Sequence, residues 1–124
     1  MNFRPELAAA VMAGDKTVTR RLVSDNPRSP WYRGGCSLVV GRDYAVCPGR
    51  GTNAIGRVTV TAVSRGPLGH LTDLEAQREG FADGFAFQRA FEEINGGVYD
   101  RDAEVWRVAF QVASAAQERK DGAA

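Results

Sequence analysis

The octet Gly14-Asp15-Lys16-Thr17-Val18-Thr19-Arg20-Arg21 concentrates groups able to do chemistry. A lysine taken out of water loses part of its preference for the charged form and can then act as a base. A threonine hydroxyl needs such a base to become a nucleophile. An arginine beside it can hold a phosphate or a carbonyl oxygen. Alternation along an extended chain places Thr17, Thr19 and Arg21 on one face, and Val18, Arg20 and Leu22 on the other. Lys16 leaves the turn at Gly14 and can swing toward the first face, where backbone N–H groups near Gly14 could serve a developing oxyanion. Spacing alone favours the polar outer face of a barrel strand over a catalytic set, and that alternative stays open here.

Other chemistry-bearing residues are sparse. Cys36, Cys47 and His70 lack the paired spacing and the ligand number of a structural zinc site, so no metal and no cofactor are expected. Trp31 and Tyr32 fall in a polar stretch, Val23 to Gly35, that reads as a long loop and a mobile lid. There they can stack on a nucleobase or pack down as an anchor. Glu75 and Glu79 stand one helical turn apart, where like charges repel, so one of them has reason to turn toward a cation.

The elements that must position these groups follow from patterning. Pro5 to Ala13 reads as a helix, with proline in its first turn and Gly14 beyond its end. Strands are expected over Lys16 to Leu22, Cys36 to Val40, Tyr44 to Cys47, Ala54 to Ser64 (with a bulge at Gly56) and Val105 to Val112. Thr72, with Glu75 three residues on, opens a helix that Gly80 closes. Asp83 caps another, with Phe87, Phe91 and Ile94 on one face and Gly96-Gly97 after it. The expected core is Val18, Val58, Val60, Phe87, Phe91, Trp106, Val108 and Phe110. The order is helix, several strands, two helices, strand, which is α+β rather than βαβ.

The chain has 124 residues and a formal net charge of +1, the size of one domain without a global attraction to nucleic acid. Arginines crowd its first half, and acidic residues concentrate between Asp73 and Glu104. No apolar run reaches the roughly 20 residues that span a membrane. The first residues, Met1 to Glu6, hold no signal-peptide core, so a cytoplasmic location is expected.

In this order the residues resemble the ASCH family of PUA-like domains. The matching features are Phe3, then Gly14, Lys16, Thr19 and Arg21, then Leu71, Leu74, Glu79, Gly80 and Phe81, then a closing strand from Val105 to Phe110. The resemblance implies a small PUA-like/ASCH β-barrel of about five to six strands with peripheral helices. The domain would cover residues 1–112, followed by a frayed tail, 113–124. Within the family the key residues are similar to small bacterial amidohydrolases that act on N4-acetylcytidine. That similarity implies Thr19 as nucleophile, Lys16 as its base and Glu79 as the acidic partner. Arg20 departs from the family pattern, because an apolar residue is common there.

Three functions remain open at this level. One is an amidohydrolase that removes an acyl group from a modified nucleoside. The second is a non-catalytic module for RNA or another single strand, in which Thr17, Arg20, Arg21, Trp31 and Tyr32 make the contacts. The third is a ribonuclease using the same cleft. The expected partner is a modified nucleoside or single-stranded RNA, with no membrane, on a monomer or weak dimer.

Overall fold

Helix α1 (Pro5–Ala13) leads into strand β1 (Val18–Leu22), and strands β2 (Asp43–Val46) and β3 (Gly56–Pro67) follow. Two helices, α2 (Asp73–Arg78) and α3 (Gly84–Asn95), precede the last strand, β4 (Glu104–Ala115). The structure, a computed structural model, describes residues 1–115. The helix boundaries have local causes. Gly14 takes φ +81° after α1, a conformation that costs glycine little. Thr72 Oγ1 accepts the Glu75 N–H at 3.2 Å, and Asp83 Oδ1 accepts that of Ala86 at 2.8 Å.

The strands form one antiparallel sheet in the order β1-β4-β3-β2. This corrects the expected barrel of five to six strands: among the described residues there are four, and their sheet is open. Cys36 to Val40 is not a strand, because only Leu38 of that apolar run is buried, while Val39 and Val40 face outward. The chain then turns at Gly41, which has φ +89°. The sheet still curls. Between Val60 and Ala62 the register with β4 shifts by one residue, and it shifts again between Arg57 and Val58. Such bulges bend a strand and reverse which alternate residues face inward. Val58 and Val60 therefore share their face with Val63, not with Ala62. Gly56, expected at a bulge, pairs in register with Ala115.

At the other end of the curl the N-terminal segment joins the end of β2. Phe3 N–H donates to Cys47 O at 3.0 Å, and Cys47 N–H to Met1 O at 2.9 Å. A gap remains between this segment and the free edge of β1. Arg21 spans it, donating from Nη2 to Asn2 O at 2.7 Å.

The two faces of the sheet bury different clusters. Phe3, Ala8 and Val11 pack with Leu38, Val46, Val58, Val60, Val108 and Phe110 on one side. On the other, Ala76, Phe87 and Phe91 of the helices α2 and α3 pack on Val105 and Leu68. Of the expected core, Trp106 is only half-buried. Its indole N–H needs a partner and finds Trp31 O at 2.9 Å, while the Arg65 guanidinium covers the ring.

The end of the chain also departs from expectation. β4 runs past Val112, because Ser114 and Ala115 pair with Arg57 and Gly56. The remainder of the expected frayed tail, residues 116–124, lies outside the described residues. No helix among the described residues is long and apolar enough to cross a membrane.

Candidate functional site

Among the described residues, the buried polar or charged side chains are Lys16, Thr19 and Glu79, at 2%, 4% and 3% relative exposure. All three line a cavity of about 450 Å³ at the free edge of β1. Its rim comes from Asn2 to Pro5, its floor from Thr19 to Leu22, and its far wall from Phe81, Phe87, Ala90, Phe91 and Ile94. Ile94, expected on the buried face of α3, is half-exposed and sits at this wall.

Lys16 reaches the cavity because two turns constrain its chain. Asp15 and Lys16 both donate their main-chain N–H to Ala10 O, which folds the segment back on α1. The backbone donors next to Gly14 are thus consumed by helix carbonyls: Gly14 itself donates to Val11 O at 3.1 Å. They are not free to form the oxyanion hole expected there. The Lys16 ammonium uses all three of its protons. It donates to Val18 O at 2.8 Å, to Glu79 O at 2.7 Å and to Glu79 Oε1 at 3.0 Å. Burial lowers its pKa from 10.5, and the Glu79 carboxylate opposes that shift.

Glu79 follows the last turn of α2, so its carbonyl has no helical partner and is available to Lys16. Gly80, at φ +95°, then turns the chain away. A Cβ at position 80 would also lie 3.3 Å from Lys16 Cβ. Glycine is therefore required for two reasons, the backbone angle and the lysine stem packed against it.

Arg20 fixes the other carboxylate oxygen. Its Nη1 donates to Glu79 Oε2 at 2.8 Å and its Nη2 to Glu75 Oε1 at 2.7 Å. Arg20 stands directly opposite Arg107 in the β1–β4 ladder, a placement that repels. Glu75 resolves it, since the same Oε1 also accepts Arg107 Nε at 2.7 Å, and Oε2 accepts Arg78 at 2.8 Å. Burial alone would raise the Glu75 carboxyl, but hydrogen bonds from Arg107, Arg20 and Arg78 outweigh it and hold its pKa at about 2. Glu75 and Glu79 both turn toward cations, where repulsion between them gave reason for one to do so.

Thr19 and Arg21 share the opposite face of β1, as alternation requires. Arg21 Nε donates to Thr19 Oγ1 at 3.3 Å, and its guanidinium lies 5.2 Å from the Phe3 ring centroid and 5.3 Å from that of Trp31. Lys16 Nζ is 5.9 Å from the same Phe3 centroid, so the lysine stands at the strand edge between the two faces. Among the described residues no hydrogen bond joins Thr19 to Lys16 or Glu79.

Of the other residues expected to contact a ligand, Arg20 and Arg21 line the cavity, while Thr17, Trp31 and Tyr32 do not. Thr17 spends its main chain on Arg78 O and Phe110 N–H. Trp31 is packed against the sheet cluster. The loop from Val23 to Gly35 is tied to the sheet rather than laid over the cavity. Arg33 meets Glu104 at 2.6 Å, and Arg65 donates to Arg33 O at 2.6 Å. Sequence reasoning missed Asn2, Arg4 and Arg50 as lining residues. Nothing in their local pattern marks them, because only the curl of the sheet brings them to β1.

No family model and no curated protein matches the chain. Solved structures do. An ASCH domain from Lactobacillus crispatus JV V101 superposes with a TM-score of 0.59 at 21% identity, covering 88% of this chain and 71% of that one. A protein from Enterococcus faecalis V583 gives 0.61 at 19% identity, covering 89% and 71%. An ASCH protein from Zymomonas mobilis gives 0.53 at 18%, covering 98% and 75%. At these identities the likeness is one of architecture: the chain has the ASCH-domain fold.

Proposed function

We propose that the cavity binds a single modified nucleoside and hydrolyses an amide on it, with an N-acylated cytidine such as N4-acetylcytidine as the substrate class. The observation that carries this reading is that Lys16, Thr19 and Glu79 are the buried polar side chains of the described chain and all face one cavity. A buried ion pair is poor value for stability alone, since apolar residues of similar volume often serve as well. The volume suits a nucleoside, falling within the roughly 300–1,000 Å³ of small-molecule pockets. Arg21 and Arg50, which line it and form no ion pair among the described residues, favour an electron-rich ligand.

In this reading Lys16 acts in its neutral form. An amine with two protons still serves the two carbonyls of Val18 and Glu79, and its lone pair becomes free. Thr19 Oγ1 attacks the acyl carbonyl as its proton passes to Lys16. The oxygen–carbon bond forms, and the carbonyl oxygen takes the negative charge beside the Arg21 guanidinium. Collapse breaks the bond from carbonyl carbon to exocyclic nitrogen, and Lys16 returns the proton to that leaving amine. Water then hydrolyses the ester on Thr19, releasing the carboxylic acid. Glu79 orients the lysine throughout and is held by Arg20.

One observation favours a second reading, a non-catalytic nucleoside- or RNA-binding module. The Lys16 ammonium is already saturated by three acceptors, as a purely structural ion pair would be. Incubation with N4-acetylcytidine separates the two. Hydrolysis predicts stoichiometric release of cytidine and acetate, and binding without release supports the module.

A further inference from the structure

The edge of β1 that floors the cavity carries main-chain groups with no partner. Its inner side is fixed by two ladder bonds, Phe110 N–H to Thr17 O and Val23 N–H to Glu104 O, each 3.0 Å. In an antiparallel pair the residues that exchange bonds with the neighbour alternate with those that point away. Thr19, Arg21 and Val23, with the C=O of Thr17, therefore face β4, and the N–H and C=O of Val18, Arg20 and Leu22 face outward. The bond from Lys16 Nζ to the outward Val18 O agrees with this parity. Beyond Leu22 the chain is engaged again, since Ser24 donates to Trp31 O and accepts from Arg33. By this parity the N–H and C=O of Arg20 point away from β4, and among the described residues no turn or loop bond takes up either group.

We propose that Arg20 reads its ligand with its backbone: its N–H donates to a ring nitrogen and its C=O accepts from an exocyclic N–H, selecting a planar base that presents an acceptor beside a donor. This deepens the nucleoside reading above and rests on it. Cytosine has that pattern at N3 and N4, and keeps both groups when N4 carries an acyl group. Uracil offers a donor at N3 and an acceptor at O4, so both bonds reverse and are lost. The occupant is a flat ring rather than an added strand, because Lys16 caps the edge at Val18 and the turn at Ser24 ends it after Leu22. The ring has apolar cover on both sides of the strand: Phe3 belongs to the cluster on one face of the sheet, and Phe91 to that on the other. The guanidinium of Arg20 is committed to Glu75 and Glu79, which holds its peptide unit in place.

The test uses calorimetry on the Thr19→Ala protein, in which turnover does not interfere, with N4-acetylcytidine and its 3-deaza analogue, which lacks the ring acceptor. Loss of one hydrogen bond in the cavity should weaken the analogue about tenfold. A second protein replaces the Arg20 amide by an ester, keeping the side chain. Residues 1–35 made synthetically can be ligated to a fragment beginning at Cys36. The ester should weaken N4-acetylcytidine about tenfold and leave the 3-deaza analogue unchanged, since that ligand never used the N–H. Equal affinity for both ligands in the amide protein overturns the edge proposal while leaving the nucleoside reading intact. Failure of N4-acetylcytidine and cytidine to bind at all removes both.

Discussion

Lys16 and Glu79 are joined twice: the ammonium donates to the main-chain oxygen of Glu79 at 2.7 Å and to its carboxylate at 3.0 Å. One residue thus ties the segment before β1 to the end of α2, through both backbone and side chain. Removing the carboxylate charge leaves a buried cation with neutral acceptors only, and sets an amide N–H₂ against Arg20. Glu79→Gln should destabilise the fold by about 3 kcal/mol. That corresponds to a drop of roughly 10 °C in Tm for a domain of this size, readable by thermal denaturation.

Glu75 should contribute to acid stability. Its carboxyl titrates at about 2 in the folded protein against an ordinary 4.5, so the folded state binds fewer protons than the unfolded one between those values. Its contribution is present in full above about pH 4.5 and is lost as pH falls toward 2. Glu75→Gln should lower stability at pH 7 and flatten the decline between pH 5 and 3, measured by denaturant titration over about that range. An unchanged acid limb would mean that other carboxylates carry it.

Gly80→Ala should cost about 1–2 kcal/mol, because the residue holds φ +95° and the new methyl meets the Lys16 stem at 3.3 Å. The ligand cavity should suffer with it, since the lysine must shift. Gly14→Ala offers the control: φ is similar at +81°, but no atom lies within 4 Å of the added Cβ. Both should lose stability, and only Gly80→Ala should lose ligand affinity as well.

A base role for Lys16 predicts the direction of the pH dependence. Burial lowers its pKa below 10.5, so the neutral amine forms at lower pH than in a free lysine. Turnover should rise with pH through a midpoint below about 10.5 and then level, a profile absent from Lys16→Met. A rate independent of pH across that limb would assign the lysine to structure alone.

Local pattern carried much of the fold. The capping threonine at 72, the aspartate at 83 and the glycine at 14 mark helix ends through bonds made within a few residues. Lys16, Thr19, Glu79 and Arg21 came from family resemblance and strand alternation, and they do line one cavity. What was illegible depends on register. The pairing of Arg20 with Arg107 creates the need for Glu75 as a bridge, and no spacing within either strand reveals it. The bulge between Val60 and Ala62 bends the sheet without a glycine to signal it. The apolar run from Cys36 to Val40 looked like a strand because composition does not say whether a neighbour is there to pair with.

The most direct measurement of the central claim is the kinetics of Thr19→Ala on N4-acetylcytidine. Thr19 supplies the attacking oxygen but little of the cavity surface, so the variant should lose at least about a thousandfold in kcat while Kd changes less than about threefold. Arg21 loses one weak acceptor at 3.3 Å but keeps Asn2 O at 2.7 Å, so the mouth of the cavity stays bridged. A variant that keeps its turnover contradicts the account, and so does one that loses affinity and turnover in equal measure, which makes Thr19 a ligand contact instead.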